Sequence, residues 1–397
     1  MLNQHTSGEI VAGKHGAEQQ VAGVPPGKFD GRQYHNLRFT YHSWKKKIHC
    51  ALTRDRGPWH RWTFSPPGYP PPACVNDADL RVTFVNHATV LIQVAGLNIL
   101  TDPVWSNRVG PIPWAGRRRR RAPGIEFDAL PPIDVVLVSH NHYDHMDIPT
   151  LRRLMRAHGP EIVTAQGNRP YLTRRGIPCA AQLDWGESYR VSDTVVITAV
   201  PAQHNSGRGL GDENTALWAG FVIQTPSGNI FFAGDTGFGP HFKLIGDAFG
   251  PFRLALLPIG PQRPRRFMED IHISPAQAVR AHKLLKANVS LAIHFGTFPL
   301  ADDGEEEPVR ELQQALDQAD EPQSRFWVLG CGVGRDVPAL NGGDIPQEGP
   351  SAARLFQQPA QAVLIDARPR FSWTRFREQR RARLQARSAV LEPITVS

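Results

Sequence analysis

Four apolar residues lead directly into a group of metal-ligand side chains in the segment Val135-Val136-Leu137-Val138-Ser139-His140-Asn141-His142-Tyr143-Asp144-His145-Met146-Asp147. The apolar run is short and β-branched without polar alternation, which predicts a buried strand. His140 and His142 stand two positions apart, so their imidazoles can converge on one ion, and Asp144 and His145 follow as ligands for a second. A lone His-x-His pair arises often by chance, but this concentration of ligand residues after a buried strand predicts a metal site.

Three further apolar runs each lead to a residue of the same chemical type. Residues 194–200 lead to His204, residues 229–233 lead to Asp235, and residues 289–293 end directly before His294. Taken singly, His204 or His294 would more often be an ordinary polar loop residue. Together they predict a dinuclear centre at one edge of a β-sandwich, with one site formed by His140, His142 and His204, a second formed by Asp144, His145 and His294, and Asp235 bridging both ions.

The predicted ligands are imidazoles and carboxylates, which suit two Zn²⁺ ions, with Fe or Mn as substitutes. Two cations about 3.5 to 4 Å apart activate water at neutral pH and stabilise both oxygens of a displacement at phosphorus or carbonyl carbon. We therefore predict a hydrolase in which Asp144 and Asp235 belong to the catalytic centre.

Four more polar residues are candidates for supporting roles. Asp147 is predicted to orient a ligating histidine, as carboxylates around metal sites do. His87 and Asp102 each stand at the end of a predicted strand, which makes them either loop hydrogen-bonding residues or supports of the site. His272 precedes a helix start where an anion is also favoured, and we predict that it contacts the substrate or leaving group.

The composition fits a soluble globular protein, with 41% hydrophobic and 21% charged residues among 397. No spanning apolar stretch and no signal-peptide pattern is apparent, which favours a cytoplasmic protein, with peripheral contact at the inner membrane face as a further option. The four scattered cysteines argue against a zinc knuckle or a disulfide framework. The net charge of +8 could attract an anionic partner. Much of the excess positive charge lies in the C-terminal tail and in a run of five arginines, Arg117, Arg118, Arg119, Arg120 and Arg121. This run is either a solvated loop or an anion-binding element.

Patterning along the chain predicts one large α/β domain with extensions. Residues 1–30 read as a flexible leader, 31–79 as an N-terminal arm packed on the domain, 80–335 as the hydrolase domain, and 336–397 as a poorly ordered Pro/Arg-rich extension. The domain opens with a predicted β-meander over residues 80–100. A capped helix begins at Ser274 and Pro275 and is predicted to run to about residue 287.

The metal residues resemble the pattern of the metallo-β-lactamase superfamily, an αββα sandwich with its metals at one edge. A more specific likeness covers residues 80–300, which are similar to the N-acyl-phosphatidylethanolamine-hydrolysing phospholipase D family. The motifs that carry it are Val82-Thr83-Phe84-Val85-Asn86-His87-Ala88-Thr89, Leu100-Thr101-Asp102-Pro103-Val104-Trp105-Ser106, the Ser139 to Asp147 segment, Pro201-Ala202-Gln203-His204, Phe231-Phe232-Ala233-Gly234-Asp235-Thr236-Gly237, Pro258-Ile259-Gly260 and Ala292-Ile293-His294-Phe295-Gly296-Thr297-Phe298.

This resemblance implies a zinc phosphodiesterase that cleaves the bond between phosphate and ethanolamine in an N-acylated phospholipid. The family's metal residues correspond to all seven predicted ligands, and a histidine near its active site corresponds to His272. A basic cluster in the family corresponds to the arginine run, which favours phosphate or anionic-surface binding there. The sequence departs from the family at Asn86, where related sequences often have Gly, and in the arm and the C-terminal tail.

Two other functions compete with this prediction, a soluble lactonase or sugar-phosphate hydrolase of the same fold, and a nucleic-acid-binding or processing protein. No aromatic-basic RNA-recognition motif accompanies the arginines, so we expect no nucleic acid partner. We expect a phospholipid substrate and peripheral contact with an anionic membrane surface, and a homodimer is a further option.

Overall fold

The computed structural model describes residues 17–18, 24–37, 53–65, 68–76, 78–112 and 114–340. The predicted C-terminal extension beyond residue 340, most of the predicted leader, and residues 38–52 of the predicted arm lie outside the described residues.

The described residues form nineteen strands, which in chain order are β1 (Ala17–Glu18), β2 (Lys28–Phe29), β3 (Tyr34–His35), β4 (Leu80–Asn86), β5 (Thr89–Val94), β6 (Leu97–Thr101), β7 (Arg108–Val109), β8 (Arg117–Arg118), β9 (Val135–Val138), β10 (Glu161–Ala165), β11 (Ala181–Leu183), β12 (Ser188–Arg190), β13 (Val196–Val200), β14 (Gly220–Gln224), β15 (Asn229–Phe232), β16 (Phe252–Pro258), β17 (Ala287–Ile293), β18 (Phe326–Trp327) and β19 (Gly334–Asp336). The α-helices in the same ranges are α1 (Ile148–Ala157), α2 (Arg169–Thr173), α3 (His241–Phe249), α4 (Arg265–Met268), α5 (Pro275–Leu284) and α6 (Glu307–Gln318). Short 3-10 turns lie at Phe127–Ala129 and Gln323–Arg325.

One layer is a seven-stranded sheet in the order β11-β10-β9-β6-β5-β4-β19. Strands β4, β5 and β6 pair antiparallel, which confirms the predicted meander. Strands β6, β9, β10 and β11 pair parallel. All four residues of β9 are buried, as its unbroken apolar run predicted, because a parallel strand in the middle of a covered sheet faces no solvent.

The second layer is an eight-stranded sheet in the order β1-β12-β13-β14-β15-β16-β17-β18. Its first half is antiparallel, and β15 through β18 are parallel. Every residue of β16 is buried, again as a parallel strand covered on both faces requires.

The core lies between and outside the two sheets. One hydrophobic cluster joins inward-facing residues of both layers, among them Val82, Ile92, Ile197 and Leu254. A second cluster packs the opposite face of the seven-stranded sheet against α1, with Val136 and Val138 beside Leu151 and Leu154. On the far side of the other sheet, α5 and α6 contribute Ala278 and Leu312 to the first cluster. The predicted αββα sandwich is confirmed.

Helix α5 starts as predicted and ends earlier. The hydroxyl of Ser274 accepts from the N–H of Gln277, whose side chain accepts from the N–H of Ser274, completing a capping box. The helix ends at Leu284 and not near residue 287, because Lys286 adopts a φ of 53° and turns the chain into β17.

The sandwich also extends past the predicted boundary at residue 335. Strand β19 pairs with β4 at the sheet edge, joining Asp336 to Arg81, and the N–H of Val337 donates to Leu80 O at 2.7 Å. An edge strand leaves a row of backbone groups unpaired, and these residues satisfy that row.

A short acidic stretch after β17 holds the N-terminal segments against the sandwich. Asp302 accepts from Arg54 Nε at 2.6 Å, and Glu305 accepts from Thr63 Oγ1 at 2.5 Å and from Arg121 at 3.0 Å. These carboxylates are buried, so their pairing with cationic and hydroxyl groups offsets the cost of removing them from water. Among the described helices, none is long and apolar enough to cross a bilayer.

Candidate metal centre

All seven predicted ligand residues meet at one edge of the sandwich, and both sheets contribute. The segment after β9 brings His140, His142, Asp144 and His145, while β13, β15 and β17 of the other sheet lead to His204, Asp235 and His294. The pairing of the eight-stranded sheet makes β13, β15 and β17 run in the same direction, so they release their chains at the same sheet edge, which is why residues far apart in sequence arrive together.

Three imidazoles form the first group, the histidine cluster His140, His142 and His204. His142 Nδ1 lies 2.8 Å from His140 Nε2 and 3.3 Å from His204 Nε2. The other ring nitrogens of His140 and His204 are held by Ser139 Oγ at 2.9 Å and by the carbonyl oxygen of Ile271 at 2.8 Å. The outer contacts therefore direct three inner nitrogens at a common point.

The second group, the mixed cluster, contains Asp144, His145 and His294, with His87 beside them. His145 Nε2 lies 3.1 Å from His294 Nε2 and 3.3 Å from Asp144 Oδ2, and His294 Nε2 lies 3.5 Å from the same oxygen. His87 Nε2 is 2.9 Å from Asp144 Oδ2, so His87 contacts the same carboxylate oxygen that faces His145 and His294.

The Asp235 carboxylate lies between the two clusters. Its Oδ2 is 3.2 Å from His145 Nε2, 3.7 Å from His204 Nε2 and 4.0 Å from His140 Nε2, and its Oδ1 is 3.1 Å from His294 Nε2. Gly234 makes this approach possible, because a Cβ there would meet Ser139 Cβ at 2.6 Å and its φ of 59° is left-handed.

The donor set fits divalent cations. Two ligands bound to zinc at 2.0–2.1 Å in tetrahedral geometry are separated by roughly 3.3 Å, and the five ligand-atom distances given above within the clusters run from 2.8 to 3.5 Å. Facing imidazole nitrogens cannot all be satisfied by each other, because each neutral ring has one donor and one acceptor. A cation would accept all of these lone pairs at once.

The electrostatics of the mixed cluster and Asp235 favour positive charge. Burial disfavours ionisation of Asp235, but His145 and His294 outweigh it and hold the pKa of Asp235 well below its usual range. Burial likewise opposes charge on His145, yet the carboxylates of Asp235, Asp144 and Asp102 raise its pKa well above normal. The pKa of His294 is raised to about 9, because Asp235 and Asp144 overcome its burial. In the histidine cluster, burial is the largest effect and lowers the pKa of His140 and His204 well below normal. Their imidazoles are therefore neutral at neutral pH, and each has one nitrogen with a lone pair for a metal ion.

Asp102 contacts His145 of the mixed cluster and holds its ring, which is the role that was predicted for Asp147. Asp102 Oδ2 lies 2.6 Å from His145 Nδ1 and accepts from Ser139 Oγ at 2.6 Å, while Oδ1 accepts from the N–H of Ser139 at 2.7 Å. Burial raises the pKa of Asp102, opposed chiefly by His145. The prediction for Asp147 was wrong: its carboxylate accepts from Ser106 and from Thr150 Oγ1 at the start of α1. Asp147 is the N-cap residue of that helix, and this places its side chain beside those donors.

Three residues at the centre have left-handed backbone conformations. The φ angles are 50° for His87, 33° for Asp102 and 63° for His294, an unfavourable region for residues with a Cβ. Such conformations persist where the surrounding structure imposes them, and all three side chains are buried. At these positions backbone strain accompanies the convergence of side chains on one point.

His272 lies beside the clusters, at the end of the loop that precedes α5. Its ring centroid is 5.0 Å from that of His204 and 5.6 Å from that of His294, and its Nδ1 is 3.9 Å from Asp235 Oδ2. Burial lowers its pKa to about 4, against the opposing effect of Asp235.

The arginine run does not form one basic patch, which corrects the prediction of anion binding for two of its members. Arg119 is 1% exposed and donates to the carbonyl oxygens of Ser106, Val104 and Arg121. Arg121 is buried against Glu305. Arg117 and Arg118 are exposed in β8, and Arg120 is half-buried. From Arg118 to Arg121 the exposure alternates, because an extended backbone sends neighbouring side chains in opposite directions, and this part of the charge run is split between core and surface.

Sequence reasoning missed three residues that hold the ligand loops. Asn36 contacts the backbone of His204, Arg208 reaches the segment of His140 and His142, and Thr236 Oγ1 accepts from the N–H of Gln203 at 2.9 Å. No local signal marks Asn36, which lies 168 residues from its partner. Arg208 follows His204 by four residues, in a glycine-rich loop whose length offered the only hint.

Comparisons with known proteins agree with this geometry. The beta-lactamase superfamily domain matches residues 97–295. An N-acyl-phosphatidylethanolamine-hydrolyzing phospholipase D 1 of Caenorhabditis elegans is 37% identical over 265 residues, which are 64% of this chain and 74% of that protein. A UPF0173 metal-dependent hydrolase of Methanopyrus kandleri is 30% identical over 237 residues, 59% of this chain and 92% of that protein. A metallo hydrolase from Ignicoccus hospitalis superimposes with a TM-score of 0.51 at 22% identity, covering 66% of this chain and 99% of that one, a likeness of fold.

Fold, clustered ligands and relatives define a metal-dependent hydrolase of the metallo-β-lactamase fold. The family model and the worm relative allow a narrower assignment. Within the beta-lactamase superfamily, the chain belongs to the N-acyl-phosphatidylethanolamine-hydrolysing phospholipase D family, as the resemblance predicted.

Proposed function

We propose that this protein is a dinuclear-metal phosphodiesterase of phospholipase D type, acting on N-acyl-phosphatidylethanolamine or a related phospholipid. The observation that carries the proposal is the position of Asp235, whose carboxylate lies within 4.0 Å of ligand nitrogens from both clusters. A carboxylate shared in this way suits a pair of ions better than a single one.

In this proposal His140, His142 and His204 hold one ion, Asp144, His145 and His294 hold the other, and Asp235 joins them. Zinc suits the imidazole and carboxylate donors, with iron or manganese as substitutes. Two such cations, when bound, supply activated water at neutral pH and stabilise charge on the attacking and leaving oxygens. His87 and Asp102 keep Asp144 and His145 in orientation.

His272 is proposed to contact the leaving group or the phosphate. Its imidazole is neutral at pH 7, since its pKa is about 4, and it lies within 3.9 Å of Asp235. A neutral imidazole carries both a donor and an acceptor, so it can hydrogen-bond an alcohol oxygen as that oxygen leaves phosphorus.

A membrane contact is proposed at the hairpin formed by β7 and β8. At its tip Trp114 is 79% exposed and Ile112 is 45% exposed, while Arg117 and Arg118 are exposed on β8. Its base contributes Val109 to a small cluster that also packs Tyr143, the neighbour of His142 and Asp144. Indole and guanidinium side chains suit the headgroup region of anionic lipid, so this hairpin would bring phospholipid to the metal edge.

Mass spectrometry of lipid products tests the proposal. Wild-type protein supplied with Zn²⁺ is expected to release N-acylethanolamine and phosphatidic acid from N-acyl-phosphatidylethanolamine vesicles. Asp235→Asn should lose at least 100-fold in rate, while Asp184→Asn, which alters a carboxylate that binds Gly27 and Trp185, should retain activity. Full activity of Asp235→Asn would rule out the mechanism in which Asp235 is shared by two ions. Turnover confined to soluble lactones or sugar phosphates would replace the phospholipid substrate with the soluble alternative.

A further inference from the structure

The loop after His204 crosses from the eight-stranded sheet to the metal-binding segment of the seven-stranded sheet. Arg208 lies four residues beyond His204, and its side chain points back toward residues 141–146. This is one of several contacts by which the two ligand-bearing loops meet at the sandwich edge.

The Arg208 guanidinium donates hydrogen bonds to three backbone carbonyls of the metal-binding segment. Its Nη1 lies 2.7 Å from Asn141 O, 2.9 Å from Met146 O and 3.4 Å from His142 O. Asn141 and Met146 bracket three of the segment's four ligands, and the fourth, His140, directly precedes Asn141. One side chain thus ties down both ends of the turn that carries them.

The remaining faces of Arg208 are occupied by two tyrosines. Its Nε donates to Tyr171 Oη at 2.8 Å, and its guanidinium carbon lies 3.9 Å from the centroid of the Tyr143 ring. The Tyr143 hydroxyl donates to Arg208 O. The side chain is consequently fixed in both direction and plane.

The backbone around Arg208 is also held. Asp212 Oδ1 accepts from the N–H groups of Arg208 at 3.0 Å and Gly209 at 2.8 Å, and Asn141 Oδ1 accepts from the N–H of Gly207 at 2.7 Å. Because Asn141 is contacted through its side chain and its carbonyl, the two loops are joined at more than one point.

We infer that Arg208 is a positioning residue that locks the segment carrying His140 and His142 against the loop carrying His204, and so determines how tightly the histidine cluster binds its ion. The three imidazoles of this cluster come from two loops on different sheets, and a small displacement between the loops would separate them. The inference rests on the proposed two-ion site and is independent of the substrate.

Arginine is suited to this task for a physical reason. A planar guanidinium offers several donors in a rigid fork and stacks on aromatic rings, whereas a lysine ammonium is a point charge on a flexible stem. Removing the guanidinium would also take this donor away from the buried carbonyls of Asn141 and Met146. A shift of the segment that gives these carbonyls another partner would relieve that cost.

Zn²⁺ binding to the full chain tests the inference. Competitive titration against a chromogenic chelator measures the affinity of each ion, and Co²⁺ substitution reports the ligand geometry through its visible spectrum. Arg208→Met should lower the affinity for one of the two ions roughly 10- to 100-fold, as loss of residues that support metal ligands does elsewhere. The affinity of Arg208→Lys should lie between those of Arg208→Met and wild type. The second ion should change less, because Asp102 and His87 hold the mixed cluster separately.

Arg175→Met is the matched control. The Arg175 guanidinium stacks on the same Tyr171 ring at 3.5 Å, and its Nη1 donates to Tyr171 O. It should change Zn²⁺ affinity by less than threefold even if stability falls.

Two outcomes would overturn the inference. One is wild-type Zn²⁺ affinity at both ions in Arg208→Met, whatever its thermal stability; the other, should that variant fail to fold, is wild-type affinity in both Arg208→Lys and Tyr143→Phe. A wild-type protein that binds no Zn²⁺ would overturn the proposed function as well, so the two failures are distinguishable.

Discussion

The side-chain amide of Asn36 pairs with the backbone of His204, donating from Nδ2 to the carbonyl oxygen at 2.7 Å and accepting at Oδ1 from the N–H at 2.9 Å. A residue of the N-terminal segment therefore fixes the backbone of a proposed metal ligand that lies 168 residues away in sequence. The pairing resembles a rung of a β-ladder, with an amide side chain in place of a strand. It makes the N-terminal segment part of the metal centre.

Replacing Asn36 with Ala should weaken the histidine cluster. The change removes both hydrogen bonds and leaves a partly buried N–H and carbonyl of His204 without their partner, at a cost of about 1–3 kcal/mol. We expect Zn²⁺ affinity at one ion to fall several-fold in a chelator titration. Gln33→Ala is the control, because Gln33 Nε2 binds Glu213 O in the same region at an exposed position. Equal effects of the two variants would show that only the fit of the arm matters.

Asp102 and Asp147 should differ in what their replacement by Asn does. Asp102→Asn disturbs the contact to His145 Nδ1 and is expected to weaken metal binding about 10- to 100-fold. Asp147→Asn weakens contacts to Ser106 and Thr150 and should lower the melting temperature with metal affinity within threefold of wild type. Calorimetric unfolding combined with metal analysis separates these results, and loss of metal in Asp147→Asn alone would reverse the assignment.

The stability of the protein should depend on pH through His241. This residue is buried, and its burial lowers its pKa to about 3, with Nε2 placed 3.1 Å from Thr236 Oγ1. The unfolded chain, with a pKa of about 6.5, binds the proton more readily, so stability is complete above that pH and is lost as pH falls toward 3. Between pH 7 and pH 5 the loss from this group is about 2 kcal/mol. His241→Gln should lose less over that interval in urea unfolding at both pH values, and parallel slopes for the two proteins would contradict the prediction.

Membrane binding should depend on the exposed tip of the β7–β8 hairpin. Trp114→Ser removes a largely exposed indole, and binding to vesicles containing phosphatidylserine is expected to fall roughly tenfold in a sedimentation assay. Tyr69→Ser is the control, since Tyr69 is 94% exposed but lies outside the hairpin. Turnover of a soluble phosphodiester should be unaffected by either change. Unaltered vesicle binding by Trp114→Ser would exclude the hairpin as the contact.

Much of the fold could be predicted because local patterns agree with the tertiary arrangement. The parallel strands β9, β16 and β17 are almost wholly buried, so β9 is an unbroken apolar run and β16 and β17 are mainly apolar, with Arg253 in β16 and Asn288 and Ser290 in β17 as the polar positions. A chain that leaves such a strand emerges at the sheet edge, so the polar residue that follows has few places to go. This is why His140, Asp235 and His294 could be predicted as neighbours.

The arginine run and Asp147 show where such reasoning fails. Consecutive arginines share one chemistry but alternate in direction, so Arg119 is buried among carbonyls while Arg118 is exposed. Asp147 shares the segment of the ligands, but the start of α1 captures its carboxylate. Nearness in sequence does not determine which donor a side chain meets.

The sequence by itself determined the strands that lead to the seven residues of the metal edge, because hydrophobic burial and strand ends are local properties of a chain, and its motifs determined the sandwich through the family resemblance. Only the tertiary structure decided which residues support them. Asp102 with His145, Asn36 with His204 and Arg208 with Asn141 are separated by 43, 168 and 67 residues. Hydrogen bonds over such separations depend on how two packed sheets bring their loops together, and no local pattern of residues encodes that placement.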